Sequence, residues 1–163
     1  MGFVGSSGSG KTTLIESILP LLTRKGLRIS TVKHAHHGFD MDRPGKDSYR
    51  HREAGAEEVM VVSHGRWALL REQSDDEETS LPALLRRMTE VDLILVEGFR
   101  GTPMPKIEVY RPDLRKEPLF PSDPTILAVA SDTSMETGAR PLLSLAQPAE
   151  TAEFVLSHAG DVR

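Results

Sequence analysis

The chain has 163 residues, a formal net charge of −4 and no cysteine, which suits a single domain spanning residues 1–163 and excludes disulfides, Cys-ligated zinc and a thiol nucleophile. The acidic balance argues against a non-specific nucleic-acid binder, which needs surplus Lys and Arg. No apolar run approaches the roughly 20 residues that span a bilayer, and the opening Met1-Gly2-Phe3-Val4-Gly5 lacks a basic n-region, so neither membrane insertion nor a signal peptide is expected and a cytoplasmic location fits.

Residues 1–4 read as a strand, shorter than the usual five or six or so, which suggests that a few residues are missing ahead of it. Residues 12–25 carry Leu14, Ile15, Ile18, Leu21 and Leu22 at helical spacing, with Gly26 as a stop and Pro20 as an expected kink or break. A second strand at 29–33 completes a βαβ opening. A polar, glycine-containing loop covers 34–45, and a short helix covers 46–56. Strands at 58–62 and 66–71 flank Ser63-His64-Gly65 as a hairpin. Residues 80–88 form a helix capped by Ser80. The apolar run 91–96 suits a central parallel strand, and 106–110 and 126–130 are further strands. Residues 111–124, with four prolines, form an exposed connection, and 148–158 close the chain as a helix with Pro148 in its first turn. Alternating strands and helices predict an α/β fold with a largely parallel central sheet in three layers.

One string carries chemistry. Gly5-Ser6-Ser7-Gly8-Ser9-Gly10-Lys11-Thr12 satisfies G-x-x-x-x-G-K-[ST] at every fixed position, the mark of a P-loop NTPase. Glycines let backbone amides turn inward around phosphate oxygens. The following helix points its unpaired N–H groups at the same anion, so Ser7, Gly8, Ser9, Gly10, Lys11, Thr12 and Thr13 are candidate phosphate contacts. Lys11 reaches the β- and γ-phosphates, and the Thr12 hydroxyl is a ligand for Mg²⁺. The string follows an apolar strand and precedes an apolar-periodic helix, unlike a chance Gly/Ser turn. Such a site also needs a carboxylate at the end of a neighbouring strand. Glu97 closes the most apolar strand and Gly98 lets the chain turn away. Glu97 is therefore the candidate for Mg²⁺ contact, direct or through water, or for positioning the attacking water; Asp92, at the other end of that strand, is the weaker one.

The stretches Thr31-Val32-Lys33-His34-Ala35-His36-His37-Gly38-Phe39-Asp40, Asp42 to Ala56, Glu97-Gly98-Phe99-Arg100, Pro105-Lys106-Ile107-Glu108-Val109 and Ala128 to Asp132 closely resemble the molybdopterin-guanine dinucleotide biosynthesis protein B family (MobB). The resemblance covers nearly the whole chain. It implies a homodimeric, GTP-binding protein with weak GTPase activity. It also implies that the protein assists the guanylyltransferase of the MobA family, which joins GMP to molybdopterin in molybdenum cofactor biosynthesis. Two departures stand out: Ala35 replaces an acidic residue usual in the family, and the first strand is short.

Read as chemistry, His34, His36 and His37 with Asp40 and Asp42 have three uses open to them: a metal site, a loop facing the nucleotide, its Mg²⁺ or the pterin, or a polar surface loop. Asp40 or Asp42 is a candidate second-sphere Mg²⁺ partner by analogy with switch loops. Lys46, Arg50 and Arg52, in and after an expected helix start, include a candidate anion site at Lys46 that a molybdopterin phosphate would suit, against a plain solvated helix face. Trp67 and Leu69 are read as core or dimer-contact residues. The Asn-Lys-x-Asp guanine motif is absent; Asp132, following a strand, is the candidate acceptor for guanine N1 and N2. Two other functions fit a P-loop: a small-molecule kinase, with Arg100 and Arg111 to Arg115 as candidate lid residues, and a nickel-insertion GTPase, against which the lack of cysteine counts.

Overall fold

The computed structural model describes residues 1–35, 41–72 and 80–160. They form two compact units, Met1–His34 with Arg86–Arg163, and Ala35–Leu85.

The first unit is built on a six-stranded, fully parallel sheet. Its strands are β1 (Gly2–Val4), β2 (Ile29–Lys33), and, beyond the second unit, β5 (Leu93–Glu97), β6 (Lys106–Val109), β7 (Ile126–Ser131) and β8 (Leu142–Ser144), in the spatial order β2-β5-β1-β6-β7-β8. β1 is central: the chain first moves to one side of it and later to the other, so the sheet has its switch point at β1, where α/β proteins place ligands outside the carboxyl ends of the strands.

Apolar periodicity decides the packing. In α1 (Lys11–Thr23), Leu14, Ile15, Ile18 and Leu22 are buried, and with Ala152 and Val155 of α4 (Pro148–His158) they cover Phe3, Leu95, Ile107 and Ala128 on one sheet face. Val4 and Val129 point the other way and are covered by Phe120, Leu119 and Tyr110 from the connection after β6, so the second covering layer is irregular chain. That connection is pinned from beneath: the buried Glu108 carboxylate accepts from the amides of Leu119 at 2.8 Å and Phe120 at 2.7 Å. Beside it the buried Lys106 ammonium donates to Asp123 at 3.1 Å and Thr125 at 2.7 Å, so neither buried charge lacks a partner.

The second unit holds α2 (Asp47–Glu53), the antiparallel hairpin of β3 (Glu58–Val62) and β4 (Trp67–Arg71), and α3 (Leu81–Leu85). Ser80 accepts from the Ala83 amide at 3.4 Å, as its capping position requires.

Most expected elements are present within a residue or two. α1 runs through Pro20 without a break: the proline lies on the exposed side of the last turns, where its ring meets no buried packing. β8 is an addition. Trp67 and Leu69 are not core residues, since both are exposed on the hairpin.

Candidate functional site

The glycine string does form a turn between β1 and α1. Gly5 has φ 138°, and a Cβ there would lie 2.2 Å from the Val109 carbonyl oxygen, so no other residue fits between β1 and β6. Gly10 caps α1 with φ 101° and accepts the first helical bond from Leu14 at 2.9 Å. No acidic residue stands in the first turn of α1. The unpaired amides at residues 11–13 and the positive end of the helix dipole are therefore not neutralised locally. Ser6 accepts from the Ser9 amide at 3.2 Å, closing the loop around Ser7 and Gly8, which are exposed. Ser9 is buried, and its hydroxyl is without a hydrogen-bond partner among the described residues.

Lys11 lies back across this turn, its ammonium donating to the carbonyls of Gly5 at 2.9 Å and Ser6 at 2.8 Å. Burial lowers its pKa from the ordinary lysine value, and the Glu97 carboxylate opposes that shift. The cation is thus held at the rim of the loop.

Parallel pairing brings the carboxylate. Glu97 is in register with Phe3 on one side and with Lys33 on the other, so three strands end together. The Thr12 hydroxyl donates to Glu97 at 2.9 Å and 3.0 Å to its two oxygens. Behind Glu97 the chain turns sharply: Gly98 has φ 90° beside His34, and Phe99 adopts φ 52°, costly for a non-glycine residue, with its ring 4.8 Å from that of His34. The turn keeps Glu97 as the last side chain of its strand. Asp92, at the opposite end, accepts from the Arg28 amide at 2.7 Å and pairs with its guanidinium, well away from the loop.

Two basic residues join the site that local reading did not put there. Lys33 Nζ is 3.2 Å from Thr12 Oγ1 and 3.2 Å from Glu97 Oε1. Arg111, following β6, donates through Nε to the Ser9 carbonyl at 3.0 Å and ion-pairs with Asp132. It therefore braces the loop instead of standing on a lid. The only sequence signal for either is its place just at or past a strand end. Asp132, after β7, also borders a cavity of about 330 Å³ with Ser131, Thr133, Ser144 and Glu150.

The other candidates divide. His34 is at the end of β2, its amide donating to the Glu97 carbonyl at 2.9 Å. His36, His37 and Asp40 lie outside the described residues. Asp42, Lys46 and Arg50 belong to the second unit. There Asp42 accepts from Ser48 at 2.7 Å and pairs with Arg52, and the Ser48 hydroxyl is the main cause holding its carboxyl below the ordinary range. Lys46 precedes α2 and borders a second cavity, of about 580 Å³, with Met41, Arg43 and His51.

The donor set suits magnesium triphosphate. A hydroxyl and a carboxylate are hard oxygen ligands of the kind Mg²⁺ takes. A glycine turn without room for Cβ at Gly5, leading into an uncapped helix start, is what a polyphosphate requires. Thr12 and Glu97 would hold the metal, directly or through water, and Lys11 with the loop amides would hold the phosphates.

Comparison with known proteins agrees with the resemblance seen in the motifs. Residues 1–132 match the sequence model of the MobB family, molybdopterin guanine dinucleotide synthesis protein B. The chain is 42% identical over 160 residues to the molybdopterin-guanine dinucleotide biosynthesis adapter protein of Escherichia coli K12, covering 96% of this chain and 90% of that protein. It is 39% identical over 155 residues to the adapter protein of Haemophilus influenzae, covering 95% and 86%. Among solved structures, Bacillus subtilis MobB superposes with a TM-score of 0.74 at 28% identity, over 98% of this chain and 96% of that one. The strands, the phosphate loop and these matches together make this chain a member of the molybdopterin guanine dinucleotide synthesis protein B family.

Proposed function

We propose that this protein binds GTP with Mg²⁺, hydrolyses it slowly, and acts as an accessory factor to the guanylyltransferase that builds molybdopterin guanine dinucleotide. One observation carries the nucleotide reading. Thr12 and Glu97 meet at 2.9 Å at the mouth of a glycine turn whose lysine, Lys11, is already folded over it. Hydroxyl, carboxylate and ammonium then stand in the relation that Mg²⁺ and the β- and γ-phosphates need. The pathway reading is supported by the family and by the names of its adapter-protein relatives.

Guanine selection is assigned to Asp132. Its carboxylate lies at the carboxyl end of β7, beside a cavity, and is tied through Arg111 to the phosphate loop. A base bound there shares a brace with the phosphates. A homodimer is supported by the second unit: Met60, Val62, Trp67 and Leu69 share one face of the hairpin by register, and Val62 and Trp67 are 68% and 65% exposed. A two-stranded ribbon is marginal alone, and a second copy of the same face is the occupant that would cover it.

Calorimetric titration with Mg·GTP and Mg·ATP tests the reading. The native protein should prefer GTP. Lys11→Ala should weaken triphosphate binding by roughly 10- to 100-fold, the worth of a charged hydrogen bond, and Asp132→Ala should narrow the GTP-to-ATP ratio. Undiminished GTP affinity in Lys11→Ala would dismiss the cradle. Co-purification with the guanylyltransferase, with and without GTP, tests the accessory role separately.

A further inference from the structure

Lys33 lies where the proposed metal has its business. Its ammonium donates to Thr12 Oγ1 at 3.2 Å and is 3.2 Å from Glu97 Oε1. The Thr12 hydroxyl spends its single proton on Glu97, which fixes where its lone pairs point. Lys33 takes one of the two, and its positive charge, 3.2 Å from both oxygens, opposes a cation approaching the other. A Mg²⁺ ion ligated by Thr12 needs a lone pair of the same oxygen at about 2.0–2.1 Å, with waters filling an octahedral shell around it.

We propose that the Lys33 ammonium and Mg²⁺ are alternative occupants of the Thr12–Glu97 pair, so that metal entry requires Lys33 to leave. The inference rests on the magnesium-triphosphate reading and adds a residue to it. The geometry favours Lys33 as the partner that moves. Its side chain is 59% exposed on a flexible stem, whereas that of Glu97 is 13% exposed at a strand end. The two are register partners in the β2–β5 ladder, so the ammonium can return along the same path. Lys11 is not interchangeable with it, being tied to two carbonyls of the loop. Lys33 thus neutralises Glu97 when metal is scarce, and it raises the metal concentration at which the site fills.

The test uses Mn²⁺ as a paramagnetic probe, with a non-hydrolysable GTP analogue present in excess and free Mn²⁺ read by electron paramagnetic resonance. Lys33→Met removes the charge and keeps the stem; Lys33→Gln serves as a second variant, and circular dichroism checks that both fold. Both variants should bind Mn²⁺ roughly two- to fivefold more tightly than the native protein, the range of a partly exposed ion pair. The gain should shrink as salt screens the native pair. Metal affinity in both variants that is unchanged or weaker overturns the proposal while leaving the nucleotide site standing. A native protein that takes up neither the analogue nor Mn²⁺ retires the nucleotide reading, and this inference with it.

Discussion

The Thr12 hydroxyl donates to both carboxylate oxygens of Glu97, 85 positions away in the chain, at 2.9 and 3.0 Å. The contact joins the first turn of α1 to the end of β5 and sets the distance between the hydroxyl and the carboxylate proposed to hold Mg²⁺. Glu97→Gln should leave triphosphate binding nearly intact, because Lys11 and the loop amides are untouched. It should slow hydrolysis by roughly 10- to 100-fold, the usual cost of disturbing a metal's outer partners. Single-turnover measurement with radiolabelled GTP reads this, and an unaltered rate removes Glu97 from the site.

Gly5 has no slack. With φ 138° and a Cβ that would stand 2.2 Å from the Val109 carbonyl oxygen, Gly5→Ala must push β1 from β6 or flatten the turn. A loss of about 1–3 kcal/mol, the scale of a forced backbone conformation, should appear in urea unfolding. Triphosphate binding should fall with it. Stability equal to the native protein's would mean the turn is looser than its geometry.

Glu108 gives stability a pH dependence. Burial raises its carboxyl pKa above the ordinary value, against the lowering effect of the Leu119 and Phe120 amides. A raised native value means the folded chain holds the proton more tightly than the unfolded one. Its contribution is therefore full below an unfolded value of about 4.3 and is lost as pH rises through the native value. Glu108→Gln keeps an acceptor oxygen and removes the titration. Melting curves between about pH 4 and 7 should show a flatter stability profile for the variant; parallel profiles would refute this.

The hairpin face carries the dimer expectation. Trp67→Lys together with Val62→Lys places charges on two exposed, register-paired positions, where they disturb no buried packing. Sedimentation equilibrium should find the native protein dimeric and the double variant monomeric with an unchanged melting temperature at low concentration. A dimer that survives both lysines uses another surface.

Much of this was legible in the chain itself, for reasons that differ by element. The phosphate loop is local chemistry: eight consecutive residues specify the turn, and the turn positions its own lysine. β5 announces itself because a strand buried on both faces must be apolar throughout, and Glu97 is conspicuous as the charge that ends it. β8 was missed because Leu142-Leu143-Ser144 is three residues with no pattern of its own; pairing with β7 makes it a strand. At Pro20 the helix continues because the residue sits on an exposed side near the last turn, where the lost hydrogen bond and the ring cost least. Trp67 illustrates the converse limit: an aromatic residue in a β-rich run is as consistent with an uncovered face as with a core. Lys33 and Arg111 could not be assigned to the site from spacing, because their partners lie across strands whose order only the folded sheet reveals.

The chain leaves the unit of the six-stranded sheet after His34 and returns to it at Arg86, so Ala35 to Leu85 is a single insertion between two adjacent strands. Because β2 and β5 run in the same direction in register from Ile29 with Leu93 to Lys33 with Glu97, the whole connection between them must travel back along the strand, about 16 Å at roughly 3.3 Å per residue. A two-residue hairpin cannot do this, whereas a grafted crossover of a dozen or so residues can. Such a replacement would keep the six-stranded sheet and its glycine loop while removing the hairpin with its exposed Val62 and Trp67.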